Sequence, residues 1–430
     1  MGEFPKNFLW GSATSAHQVE GGNVNDWSEW EKNNADRLAR EAKSKWRDWQ
    51  QKKFPEMFET QNYISGRACD HYNLYEKDFD IAKSLGHNAH RFSLEWSRIE
   101  PEEGKFNEEA IEHYKKVILA LRERGLEPFV TIWHWTNPLW IRDIGGWENK
   151  KTVDYFARYV REILPKIDEL KSVRFWIPLN EPNIYIGMGY LKGASPPGKK
   201  SFFKAIRVFY NLVSAQKRVY KIVKEFNSRS NVGTADAAIY FEMNGFFKFF
   251  IDYFFNRWFL EKIGSCKDFI GCNYYTRRPL FSKNKDKSVI SDLGWDIYPE
   301  GICGVLKSFK KFNLPIYITE NGIADAKDEK RTRFIKDHLR WLQKAAEDGI
   351  DVRGYLYWSL LDNFEMPEIR GFWPRFGLVE IDYRTMQRRI RSSAWEYKRI
   401  IDNGLPAEAS TKAGAKNQAK RLGVQKNHRK

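Results

Sequence analysis

The stretch Trp176-Ile-Pro-Leu-Asn180-Glu181-Pro182 sets an amide and a carboxylate at the end of an apolar run. Tyr317-Ile-Thr-Glu320-Asn-Gly322 does the same with a second carboxylate. Short apolar runs rich in β-branched and aromatic residues, stopped by Pro or Gly, read as buried strands. Six further runs have this character, so the expected strands are 7–16, 88–96, 127–135, 174–182, 231–239, 268–276, 315–322 and 352–360. Between them the apolar period lengthens to that of amphipathic helices, for example over 107–125, 151–170, 202–227 and 328–349. Eight strand–helix units in alternation predict the α/β class and a single (β/α)8 TIM barrel over residues 1–403.

That fold places its chemistry at the carboxyl ends of the strands, and the polar residues fall there. Gln18 and Glu20 follow the first run, and Arg91 and Glu95 lie on the second. His134 and Trp135 end the third, Asn180 and Glu181 the fourth, and Asn273 and Tyr275 the sixth. Glu320 ends the seventh, and Trp358 sits on the eighth with Glu365 just beyond. Charged and amide groups inside apolar strands are unfavourable unless paired or functional. Two carboxylates on separate strand ends facing one pocket are the groups needed to cleave a glycosidic bond, one as acid and base, the other as nucleophile or water activator.

The composition narrows the alternatives. Four cysteines (Cys69, Cys266, Cys272, Cys303) lack CxxC or zinc-ligand spacing, and eight histidines show no metal-binding cluster. No metal or cofactor is expected. The N-terminus has no charged start followed by an apolar segment, and no apolar run approaches about 18 residues, so a soluble cytoplasmic protein without a membrane span is expected. Of the net charge of +16, residues 404–430 carry +6, from seven Lys/Arg against Glu408. That segment has no aromatic residue and is expected to be a disordered, solubilising tail. No recognisable nucleic-acid module accompanies it, and oligomeric state is not legible. Aromatic residues make up 16% of the chain; most are expected to pack in the core, with some serving as platforms for flat apolar faces.

Taken in order, several blocks resemble glycoside hydrolase family 1, the retaining β-glycosidases. They are Phe8-Leu-Trp-Gly-Ser-Ala-Thr-Ser-Ala-His-Gln18-Val-Glu20-Gly, His90-Arg91-Phe-Ser-Leu-Glu95-Trp96-Ser-Arg98, Asn180-Glu181-Pro182, Gly271-Cys-Asn273-Tyr-Tyr275-Thr, Ile318-Thr-Glu320-Asn-Gly, Tyr357-Trp358-Ser-Leu-Leu-Asp-Asn363-Phe-Glu365 and Arg375-Phe-Gly-Leu-Val-Glu-Ile-Asp382-Tyr. The resemblance implies a small-molecule carbohydrate substrate. Glu181 would be the acid/base and Glu320 the nucleophile, with Arg91 and Tyr275 donating to Glu320. Gln18, His134, Asn180 and Glu365 would bind sugar hydroxyls, Trp358 would stack beneath the ring, and Trp135 would line the same wall. A non-catalytic sugar-binding barrel is the alternative, and it would predict loss of a catalytic carboxylate.

Three features depart from the family pattern. The family usually carries Trp after Glu365, and here the residue is Met366, which has no donor for a sugar hydroxyl. Treated as a substrate-binding position, it is expected to weaken the grip on the sugar by roughly 0.5–1.5 kcal/mol. Segment 241–267 is short and aromatic, with Phe246, Phe247, Phe249, Phe250, Tyr253, Phe254, Phe255, Trp258 and Phe259, and is expected mainly to pack. Segment 35–58, with Trp46 and Trp49, is expected either as a helical rim over the pocket or as a solvated surface segment.

Overall fold

The computed structural model describes residues 4–242, 246–279, 289–366 and 370–406. Residues 407–430 of the expected tail lie outside them. Nine parallel strands form the barrel: β1 (Leu9–Ala13), β2 (Ala89–Ser93), β3 (Glu127–Trp133), β4 (Phe175–Leu179), β5 (Asn231–Val232), β6 (Asp236–Glu242), β7 (Ile270–Pro279), β8 (Ile316–Asn321) and β9 (Val352–Trp358). They pair in the order β5-β4-β3-β2-β1-β9-β8-β7-β6. The two ends meet through the bridges Asn180–Ala235 and Gly233–Phe269. The architecture is therefore a (β/α)8 barrel whose fifth stave is divided into β5 and β6. Gly233 lies at the division, and a Cβ there would come within 2.4 Å of the Phe269 ring. The expected single strand over 231–239 is two pieces, β5 paired with β4 and β6 paired with β7, joined only by isolated bridges.

Other strands end earlier than the apolar runs. After β1 and β2 the chain turns into the short helices Ala16–Val19 and Trp96–Ile99. After β4, Glu181 adopts left-handed backbone angles (φ 42°, ψ 60°) and Pro182 opens the helix Pro182–Ile186, a position where its missing N–H is not needed. The major helices fall where the period placed them: Glu108–Glu123, Lys151–Ile167, Phe202–Phe226 and Arg331–Glu347. The first is capped by the Asn107 side chain, which accepts from the Ala110 N–H at 3.1 Å.

Two apolar layers hold the barrel together. Inside it, Phe129, Phe175, Ile177, Phe269, Tyr317 and Leu356 pack into a plug, with Phe129 and Phe175 stacked at 4.2 Å. Outside it, the helices bury their apolar stripes against the sheet. A third cluster lies under one rim, where Trp46 meets Trp373 edge-on at 4.9 Å beside Phe54, Met57 and Trp358. Ala42 of helix Asp26–Lys45 and Trp46, Phe54 and Met57, which flank helix Asp48–Lys53, contribute to this cluster, so segment 35–58 is a helical rim. All four cysteines are free thiols; Cys69, Cys272 and Cys303 are buried. Among the described residues no helix is long and apolar enough to cross a membrane.

Candidate active site

Nine of the eleven candidate residues line one cavity at the carboxyl ends of the strands: Gln18, His134, Trp135, Asn180, Glu181, Tyr275, Glu320, Trp358 and Glu365. Arg91 lies behind its wall, fully buried, and links two of them. Its Nη1 donates to Glu320 Oε1, and its Nη2 donates to Asn180 Oδ1 at 2.6 Å. Thr131 Oγ1, on the neighbouring strand, accepts from Arg91 Nε at 2.9 Å and fixes the guanidinium. The other Glu320 oxygen accepts from the Tyr275 hydroxyl at 2.7 Å. Burial and the Glu320 charge push the Tyr275 hydroxyl well above its ordinary value, so it remains a donor.

Glu181 has different surroundings. Burial first, and then the Glu320 charge, push its carboxyl well above the usual carboxylate range, against the opposing pull of Asn273 and Arg91. Among the described residues its side-chain donor is Asn273, whose Nδ2 lies 2.8 Å from Glu181 Oε1. Thr319 fixes the direction of that amide by donating to Asn273 Oδ1 at 2.6 Å. A register shift between β7 and β8 brings Asn273 level with Glu320. Two carboxyls in one cavity thus have different environments, Glu320 held by a cation and a hydroxyl, Glu181 favoured in its protonated form.

Asn180 sets the state of His134. Because Asn180 Oδ1 faces Arg91, its Nδ2 is the atom 3.0 Å from His134 Nε2, which must accept. The ring proton then sits on Nδ1, which is buried without a partner among the described residues. Burial, reinforced by Arg91, holds the imidazole well below its ordinary pKa, so it is neutral. A neutral ring with an unfilled N–H at a cavity wall suits a hydroxyl acceptor. Gln18 is pinned by Ser15, Asn363 and the Phe364 carbonyl. Trp135 donates to the Asn180 carbonyl at 2.9 Å, and Trp358 Nε1 lies 3.3 Å from Glu365 Oε1. Burial raises the Glu365 carboxyl to about 7, with Arg370 and the Trp358 hydrogen bond opposing the rise. Gly322 follows Glu320 where a Cβ would come within 1.7 Å of the Trp358 carbonyl, which is why this turn takes glycine.

Met366 is the exception. It is fully buried in the main core and does not line the cavity. Glu365 turns inward at this loop, and the next side chain turns into the core. Met366→Trp is accordingly expected to overpack that core and lower stability by about 1–3 kcal/mol. Relative kcat/KM among glycosides should stay within about twofold; a reordered sugar preference would contradict this placement.

Three residues of the site were not assigned from sequence. Trp295 and Phe376 line the cavity, and Asn273 holds Glu181. Asn273 and Phe376 lie in blocks that carry the family resemblance. Trp295 stands in a loop without strand or motif signal, its ring 5.8 Å from Tyr275 and 4.9 Å from the Arg370 guanidinium.

Asp236, which opens β6, lies near enough to Glu181 to raise its carboxyl further once Asp236 itself is ionised. Burial raises its own carboxyl from 3.8 to about 7, and its Oδ2 has no partner among the described residues. The native state therefore holds this proton between about pH 4 and pH 7. The stability it contributes is full below that window and lost as pH rises through it. Asp236→Asn, which keeps the neutral form, should match the parent near pH 4 and exceed it at pH 8 by up to about 4 kcal/mol. Urea midpoints across pH provide the measurement, and a less stable variant at pH 8 would contradict the assignment.

Among the described residues, no cluster of three or more His, Cys, Asp or Glu side chains is arranged to hold a metal ion. The chain matches the family model described as glycosyl hydrolase family 1 over residues 1–242 and 251–405. It is 33% identical to beta-glucosidase A of Thermotoga maritima, over 94% of this chain and 99% of that one. It is 29% identical to a beta-galactosidase of Pyrococcus woesei, over 94% and 98%. Among solved structures, a beta-glycosidase from Pyrococcus horikoshii superimposes with a TM-score of 0.81 at 37% identity, covering 99% of both chains. The Thermotoga maritima beta-glucosidase in complex with glucoimidazole does so with a TM-score of 0.82 at 30% identity, covering 95% of this chain and 100% of that one. With its barrel, its paired carboxyls and a match along nearly its whole length, the chain is an enzyme belonging to glycosyl hydrolase family 1.

Proposed function

We propose that this enzyme is a retaining exo-β-glycosidase that removes terminal glucose or galactose from β-glycosides of small aglycones or short oligosaccharides. The observation that carries the reading is the asymmetry between Glu320, held by Arg91 and Tyr275, and Glu181, buried and raised beside it. In the first step a Glu320 oxygen attacks the anomeric carbon while Glu181 gives its proton to the glycosidic oxygen. The carbon–oxygen bond breaks, the aglycone leaves as an alcohol, and a sugar ester forms on Glu320. In the second step Glu181, now ionised, takes a proton from water as that water attacks the same carbon and frees Glu320. An alcohol in place of water gives transglycosylation by the same route.

The second N–H of Asn180 and the free Nδ1–H of His134 are the donors for hydroxyls of the sugar. Contacts of this kind raise kcat only where they strengthen in the transition state. The names of the Thermotoga and Pyrococcus woesei relatives support both glucosides and galactosides as substrates. Initial rates on a panel of aryl β-glycosides test the reading: turnover of β-glucosides and β-galactosides without added metal is expected, and none on any β-glycoside would refute it.

A further inference from the structure

Outside the cavity, exposed rings gather in one place. On helix Phe202–Phe226, Phe202 and Phe203 are exposed, Phe203 by 86%, and Tyr210 lies two turns beyond Phe203 on the same face. The Tyr210 ring is 6.5 Å from Trp258, and Trp258 is 5.4 Å from Phe254. Phe254 leads to Tyr253 at 5.2 Å, and Tyr253 to Phe249 at 6.5 Å. Phe247, Phe249, Phe250 and Phe254 all remain exposed, so the aromatic segment packs only in part. Helix Phe202–Phe226 begins beyond the carboxyl end of β4, and helix Phe246–Asp252 beyond that of β6. The patch therefore starts on the end of the barrel that carries the cavity. Exposed apolar surface of this extent marks an interaction face.

The charge around it is predominantly positive. Nine Lys/Arg and no Asp or Glu occur between Pro182 and Lys224. Lys199 and Lys200 precede the helix and are exposed, and Arg207 and Lys221 continue the face of Phe203 and Tyr210. The neighbouring carboxylates Glu148, Asp154, Asp252 and Glu261 are each held in an ion pair. A second copy of this chain would set cations against cations.

We propose that this face docks the enzyme on an anionic lipid surface, with the rings in the headgroup boundary and the lysines and arginines among the phosphates. Rings favour that boundary, and basic residues near an anionic leaflet strengthen binding by about fivefold each. The contact is interfacial and needs no membrane-crossing helix, and it is independent of the glycosidase reading.

The test is sedimentation of the whole chain with vesicles of phosphatidylglycerol in phosphatidylcholine, and of phosphatidylcholine alone. Binding to the anionic vesicles is expected, weakened by salt. The double variant Phe203→Ser/Phe254→Ser should bind roughly tenfold more weakly. Lys200→Glu/Arg207→Glu should weaken binding more than the loss of two cations alone. Both variants should hydrolyse a soluble aryl β-glycoside at the parental rate, which establishes that they fold. A chain ending at Pro406, without the basic tail, should still bind. Parental binding by both double variants would overturn the proposal, as would loss of all binding with the tail. So would a parent that ignores vesicles and instead forms a dimer, or binds polyglutamate alone.

Discussion

Glu320→Gly is expected to lower kcat on aryl β-glycosides by a factor on the order of 10^4–10^6, the range for removing a nucleophile from a positioned site. The substitution removes the atom that attacks the anomeric carbon and leaves a gap beside Arg91 and Tyr275, which had both donated to it. Azide fits such a gap and carries its own negative charge. It should restore turnover of substrates with good leaving groups and yield the α-glycosyl azide, since it attacks from the face Glu320 used. A folded variant that azide does not rescue would place the nucleophile elsewhere. Glu320→Gln gives a second reading of the same pair. The Glu320 charge is the second largest reason that the Glu181 carboxyl is raised, after burial. Removing that charge should lower the Glu181 pKa, which carbon NMR of labelled glutamate can follow; an unchanged titration would mean that the two carboxyls do not communicate.

Glu181→Ala should cost about 10^2–10^4 in rate, the usual contribution of a positioned acid or base. The loss should depend on the leaving group. Alkyl glycosides need the proton and should suffer fully, whereas dinitrophenyl glycosides depart without it and should be limited by the slow second step. Azide should again accelerate the variant, but now as the attacker on the glycosyl ester, giving the β-glycosyl azide. The opposite stereochemistry of the two rescued products separates the roles of the carboxyls more firmly than either rate. The pH profile adds a sign. In the parent, Glu181 must be protonated for the first step, so kcat/KM should fall as pH rises through its raised pKa. In Glu181→Ala that alkaline limb should vanish, and its survival would assign the acid to another group.

Much of this was legible in the chain because polar residues stand out inside apolar runs. Glu181 and Glu320 each close such a run, and the barrel leaves no other place for them than the carboxyl end of a strand. Asn273 was visible on its strand, but its bond to Glu181 depends on the register shift between β7 and β8, which no local pattern encodes. Trp295 reaches the cavity from a loop, where periodicity carries no information. Met366 was given a role through its neighbour Glu365, yet one step along an irregular loop moves a side chain from the cavity wall to the core. Glycine at position 233, where the fifth stave divides, answers to the Phe269 ring, which is distant in sequence. The aromatic run after β6 hid its own exposure: with rings at nearly every position, the helical period that separates core from surface is erased.

The most direct test of the paired-carboxyl account is proton NMR of the sugar at the first moments of hydrolysis of an aryl β-glucoside. Two displacements at one carbon, by Glu320 and then by water activated by Glu181, predict that the β-anomer appears first and only later mutarotates to the mixture. Initial release of the α-anomer would mean a single displacement by water, and would remove Glu320 from its role as nucleophile.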